Sequence, residues 1–133
     1  MNAHIGVEDV IEPGQEKVIE SDIPSRAHGV VFEDDGETGY FYARDYSNTD
    51  QLFCDALHIY SVEDVVDREI PSDLMILWSP DYSKAALLIN SYPHAVFDFN
   101  TQCGYSRDNF PEPDPDSGWS HMVWSDSLRG SFA

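Results

Sequence analysis

Leu74-Met75-Ile76-Leu77-Trp78-Ser79 and Ala85-Ala86-Leu87-Leu88-Ile89-Asn90, separated by Pro80-Asp81-Tyr82-Ser83-Lys84, decide the fold. Both runs are strand-sized and apolar on both faces. Such runs, bounded by turn residues, predict strands covered on both sides. After a break at Ser91-Tyr92-Pro93, His94-Ala95-Val96-Phe97-Asp98-Phe99 reads as a third strand. Short connections between consecutive strands predict an antiparallel meander at the centre of the core, with Leu77, Leu87, Ile89 and Phe97 almost wholly buried.

Upstream, Gly29-Val30-Val31-Phe32-Glu33-Asp34-Asp35-Gly36-Glu37-Thr38-Gly39-Tyr40-Phe41-Tyr42-Ala43-Arg44 reads as a hairpin. Val, Phe and Tyr suit a pleated, half-buried surface, and Asp-Asp-Gly supplies the turn. Its tip carries Glu33, Asp34, Asp35 and Glu37, whose side chains are expected in solvent. Gln15 to Glu20 fits an edge strand, and residues 1–14 read as a flexible arm with a short β segment over Ile5–Val10. The span from Gln51 to Ser61 has apolar residues at both helical and strand spacing, and its ending on Ile59-Tyr60 leans toward strand. Ser61 resembles an N-cap ahead of a helical turn or two. Residues 100–118 read as loop, with Pro111-Glu112-Pro113-Asp114-Pro115-Asp116 on an extended path. The tail from Trp119 fits a closing strand or a short helix packed on the sheet. The fold expected is a β-rich α+β domain over residues 1–133, built around the meander with one or two short helices.

The 133 residues hold 25 Asp and Glu against 7 Lys and Arg, a net charge of −18. Seventeen of the acids lie at or before Glu69. A field of this sign repels nucleic acid and anionic membranes and attracts basic partners. Cys54 and Cys103 have neither metal-ligand nor redox-motif spacing and read as buried free thiols, which suits the cytoplasm. No apolar run reaches the length that spans a bilayer, and the N-terminus lacks the basic and apolar segments of a signal peptide.

Motifs for catalysis are missing. No phosphate loop, nucleophile elbow or zinc spacing occurs, and neither Asp34-Asp35-Gly36-Glu37 nor Asp114-Pro115-Asp116-Ser117-Gly118 completes a calcium loop. The expectation is no cofactor, no metal and no catalytic residue. One alternative stands apart: His94 and Asp98 share a face of the third strand, where a carboxylate could orient an imidazole for a small hydrolase or a ligand site.

Three segments carry a resemblance: Gly29–Ala43, Asp-Ala-Leu-His-Ile-Tyr at residues 55–60, and Lys-Ala-Ala-Leu-Leu-Ile-Asn-Ser-Tyr-Pro-His-Ala-Val-Phe-Asp-Phe at residues 84–99. They resemble an uncharacterised bacterial family, domain of unknown function 2251, from about Gly29 onward. That resemblance implies no activity and no site residues. In size and charge the chain also resembles small acidic immunity proteins, which bind and block a toxin.

The functional expectation is therefore a non-catalytic protein-binding module, an immunity-type inhibitor of a basic toxin domain. Its contact residues are expected to be Glu33, Asp34, Asp35 and Glu37 at the hairpin tip with Tyr40 and Tyr42 beyond it. Glu112, Asp114 and Asp116 form an expected second patch. The remaining alternative is an acidic protein with a structural or regulatory role.

Overall fold

The computed structural model describes residues 3–47, 53–108 and 110–132. Among them the chain forms ten strands: β1 (His4–Ile11), β2 (Lys17–Asp22), β3 (His28–Asp34), β4 (Thr38–Asp45), β5 (Phe53–Ser61), β6 (Ser72–Trp78), β7 (Lys84–Ile89), β8 (Tyr92–Asp98), β9 (Cys103–Ser106) and β10 (Ser120–Val123). They make a six-stranded sheet, β1-β6-β7-β8-β9-β10, and a four-stranded sheet, β2-β3-β4-β5. The protein is β-rich. Among the described residues its helical structure is confined to 3-10 segments at Val62–Asp64 and Asp126–Phe132, so the helices expected of an α+β domain shrink to these two.

The meander is β6-β7-β8, antiparallel throughout. Asn90 and Ser91 alone join β7 to β8, with φ of 51° and 65°. Two left-handed residues give the tight loop whose twist matches the strands it joins. Alternation sends Leu74, Ile76, Trp78, Ala85, Leu87, Ala95 and Phe97 to the core. From the other sheet, Ile19, Val30, Phe32, Phe41, Ala43 and Leu57 meet them. The Phe41 and Phe97 rings stack across the interface at 5.0 Å. The buried Trp78 indole N–H, which needs a partner there, donates to Ser21 Oγ on β2 at 2.9 Å.

Leu87 and Phe97 are fully buried, whereas Leu77 and Ile89 are only half-buried. Leu77 lies on the opposite face of the six-stranded sheet. There it lines a groove with Ala86, Leu88 and Val96, bordered by Trp124, Leu128 and Phe132. The tail thus supplies both a closing strand, β10, and a 3-10 cover. Ile89 is the last residue of its strand, where cover thins.

Two other expectations change. Residues 4–11 are not a loosely held arm: the short β segment expected at Ile5–Val10 is β1, paired with β6 from His4↔Trp78 to Ile11↔Ser72. The supposed loop at 100–118 contains β9, held by antiparallel pairing to β8 and parallel pairing to β10. The span from Gln51 to Ser61 is strand, as its ending on Ile59-Tyr60 suggested, from Phe53 onward, its first two residues lying outside the described ones. The hairpin forms as expected, β3 and β4 pairing from His28↔Asp45 to Asp34↔Gly39.

Candidate functional site

The four carboxylates of the hairpin tip do not act together. Alternation along β3 turns Asp34 inward, and it is 1% exposed. Its carboxylate accepts from the Gly14 N–H (2.9 Å), the Gly36 N–H (2.8 Å) and the Tyr60 hydroxyl (2.7 Å). Burial first, then Asp34 itself, pushes the Tyr60 phenol far up. Asp34 is a structural carboxylate tying the β1–β2 connection, the turn and β5 together, not a contact residue. Asp35 stays exposed and caps its own turn, accepting from the Glu37 and Thr38 N–H groups at 2.9 Å each. Those backbone donors, Thr38 foremost, hold its carboxyl below the usual range. Glu37 lies beside Thr38, Ser61, Glu63 and Arg68 around an open hollow.

Glu33, Tyr40 and Tyr42 point the other way, onto the outer face of the four-stranded sheet. In register, Glu33 faces Tyr40, Tyr40 faces His58, and Tyr42 faces Ala56. The Tyr40 and Tyr42 rings stack at 5.9 Å, Tyr42 meets Phe53 at 5.1 Å, and His58 stands edge-on to Tyr40 at 5.6 Å. Phe110 continues the strip from His58 at 5.9 Å. The Tyr42 hydroxyl reaches Glu33 at 3.5 Å, and burial, then the Glu33 carboxylate, raises its phenol pKa. Arg44 on the same face is already engaged, Nη1 with Glu20 at 2.9 Å and Nη2 with Asp22 at 2.8 Å, its guanidinium 5.2 Å from the Tyr46 ring.

At the β5 end the strip opens into a cleft of about 190 Å³. Tyr42, Phe53, Pro111 and Pro113 give it apolar walls, and Glu112 and Asp114 stand on it. The expected second patch therefore joins Tyr42 across this cleft. Asp116 lies further along, its N–H donating to Asp114 Oδ1 at 2.9 Å.

Beneath the cleft lies a pair that the sequence did not signal. His121 of β10 meets both oxygens of Asp55 on β5, at 2.8 and 2.7 Å, with side chains 3% and 2% exposed. Burial pushes the Asp55 carboxyl up, and the His121 hydrogen bond offsets part of this. Gly104 on β9 leaves room for the pair: a Cβ there would come within 2.9 Å of Asp55 Oδ2 and 3.2 Å of His121 Cδ2. The partners are 66 residues apart, so no local pattern could have linked them.

His58 anchors the loop after β9. Its Nδ1 lies 2.6 Å from Asp108 Oδ2, its Nε2 3.1 Å from Ser61 Oγ, and its backbone N–H donates to the Phe110 carbonyl at 2.7 Å. Ser61 does stand at the N-cap of the 3-10 turn, but its hydroxyl makes no capping bond there. By contrast, His94 and Asp98 are not brought together. They sit four residues apart on one strand, roughly 13 Å in extended chain. Asp98 accepts from the Asn100 and Thr101 N–H groups at 2.9 and 3.2 Å. His94 is the extra residue where the register slips between Leu87↔Ala95 and Leu88↔Pro93. Burial, then Arg107, depresses its pKa. Among the described residues no three His, Cys, Asp or Glu side chains converge as a metal site requires, and no helix is long and apolar enough to cross a membrane.

Fold and face together define a two-sheet β protein with an aromatic, carboxylate-bordered outer surface. The chain belongs to the bacterial family described as an uncharacterized protein conserved in bacteria, DUF2251, whose model matches residues 11–133. The match begins at the end of β1, well before the Gly29 boundary that the three resembling segments suggested. A Haemophilus influenzae relative, named only as an uncharacterized protein, is 42% identical over 118 residues, covering 88% of this chain and 73% of the relative. No solved structure matches.

Proposed function

We propose that this protein is a binding module that docks a cationic protein surface against the outer face of its four-stranded sheet, as an immunity-type inhibitor of a basic toxin domain. One observation carries this: a contiguous aromatic strip, Phe53-Tyr42-Tyr40-His58-Phe110, bordered by Glu33, Glu112 and Asp114. Interfaces concentrate their energy in aromatic anchors. The net charge of −18 supplies the steering, raising association rates toward ~10⁸–10⁹ M⁻¹s⁻¹ at low salt. A surface of this sign can occupy a site built for phosphates. It disfavours nucleic acid and anionic membranes as partners. The buried free thiols of Cys54 and Cys103 suit a cytoplasmic location.

The test is capture from the native host, followed by association kinetics at two salt concentrations and co-expression with the captured domain. A basic partner whose toxicity is suppressed, whose association slows and becomes less salt-dependent with Glu33→Gln, and whose dissociation quickens with Tyr40→Ala, supports the proposal. Capture of an acidic partner, or kinetics indifferent to both changes, overturns it.

A second reading, a small hydrolase, has one observation in its favour, at His58 and not at His94. The Asp108–His58–Ser61 chain would let Ser61 Oγ attack an ester carbonyl while His58 Nε2 takes its proton and returns it to the leaving alcohol, water then releasing the acyl group. Covalent labelling of Ser61 by a fluorophosphonate, lost in His58→Asn, would establish it. An unlabelled Ser61 leaves the chain as a structural tie.

A further inference from the structure

We infer that the cleft between β4, β5 and the Pro111–Asp114 segment is a receptor for a single arginine side chain projecting from the partner. The inference deepens the docking proposal and rests on it for its biological setting.

The protein itself shows what these groups do with a guanidinium. Arg44 lies 5.2 Å from the Tyr46 ring while Glu20 and Asp22 take its two Nη groups at 2.9 and 2.8 Å. Arg107 lies over the Tyr92 ring at 4.7 Å and the Trp124 ring at 4.8 Å. The cleft repeats the first set of parts without a cation: aromatic walls in Tyr42 and Phe53, two carboxylates in Glu112 and Asp114, and no Lys or Arg among its lining residues. Phe53 is 44% exposed, and Glu112 and Asp114 are exposed too. Their rings and charges are open to a ligand. Pro111 and Pro113 add apolar wall for the aliphatic stem and restrict the backbone beside the carboxylates. At about 190 Å³ the open cleft has room for one side chain. A planar guanidinium can stack on an aromatic face and still offer its fork to carboxylates, whereas an ammonium stays more strongly hydrated. Arginine is therefore the ligand chemistry, with lysine a weaker one.

The experiment titrates the folded protein with three short peptides, uncharged except for a central arginine, lysine or citrulline, following the chain by NMR. The arginine peptide is expected to bind with a Kd on the order of 1 mM, with shifts centred on Tyr42, Phe53 and residues 111–114. Lysine should bind several-fold more weakly and citrulline not measurably. Glu112→Gln with Asp114→Asn should weaken the arginine peptide about tenfold, the ~1.4 kcal/mol expected of charge-assisted hydrogen bonds. Urea midpoints confirm that the variants fold. Citrulline binding as well as arginine, or shifts centred elsewhere, overturns the inference. A captured cationic partner whose affinity ignores Phe53→Ala and the double variant sinks the cleft while leaving the docking face standing. Arginine-peptide binding with no cationic partner in the host does the reverse.

Discussion

Replacing Asp34 should unfold the protein more readily than replacing any other carboxylate of the hairpin tip. Three donors converge on this 1%-exposed side chain: the Gly14 N–H, the Gly36 N–H and the Tyr60 hydroxyl. A hydrogen bond to a charged group contributes about 1.5–3 kcal/mol net, and an abandoned buried donor adds its desolvation cost. Asp34→Ala removes all three bonds. Gly36, at the turn, recovers water most easily, so the loss falls short of the full sum, at about 3–5 kcal/mol. Asp34→Asn can keep a carbonyl oxygen toward Gly14 and Tyr60, but its NH₂ then confronts the Gly36 N–H, at about 1–3 kcal/mol. Tyr60→Phe removes one bond and should cost about 1.5–3 kcal/mol. Urea unfolding followed by tryptophan fluorescence measures each. At a slope of about 2 kcal/mol/M, Asp34→Ala should lower the midpoint by about 1.5–2.5 M. Asp35→Asn, at an exposed position of the turn, should move it far less. An Asp34→Ala protein within about 0.5 kcal/mol of the parent would refute the assignment of Asp34 as a structural carboxylate.

Leu87→Ala, at a fully buried position on the central meander strand, should cost about 2–5 kcal/mol through lost burial and a cavity; an unchanged urea midpoint would contradict that placement. Burial pushes the Cys54 thiol up to about 12, and Cys103 is buried as well. Neither should react with a thiol reagent at pH 8 until the protein is unfolded, and prompt labelling of the native chain would count against both placements. Hydrogen bonds from the Ser83 hydroxyl and N–H and from the Ser79 hydroxyl hold the Asp81 carboxyl down at about 2. Its folded pKa lies below the unfolded value of about 3.9, so its stabilisation is present above pH ~4 and is lost as pH falls through about 2. The gap in urea midpoint between parent and Asp81→Asn should be open at pH 6 and nearly closed at pH 2; a gap of equal size at both would show that this turn is not held by the ionised carboxylate.

Local pattern carried the strands whose signal is local. The runs at 74–79 and 85–90 are apolar on both faces because both faces are covered, one by the second sheet and one in part by the 3-10 tail. The hairpin at Gly29–Arg44 declared itself through flanking β-formers and an Asp-Asp-Gly turn. What the chain's own order could not specify was decided by long-range pairing. Residues 4–11 look like a polar arm until β6 supplies their hydrogen bonds, and Cys103–Ser106 become a strand only between β8 and β10. Charge counting located the acids but not their direction. The alternation of side chains along β3 buried Asp34 and left Glu33 on the outer face, one residue away. The cleft needed Tyr42, Phe53 and the Pro111–Asp114 segment together, and the Asp55–His121 tie joins positions 66 residues apart. Such contacts have no periodicity to read, because a distance across the fold is set by how the sheets pack and not by neighbours along the chain.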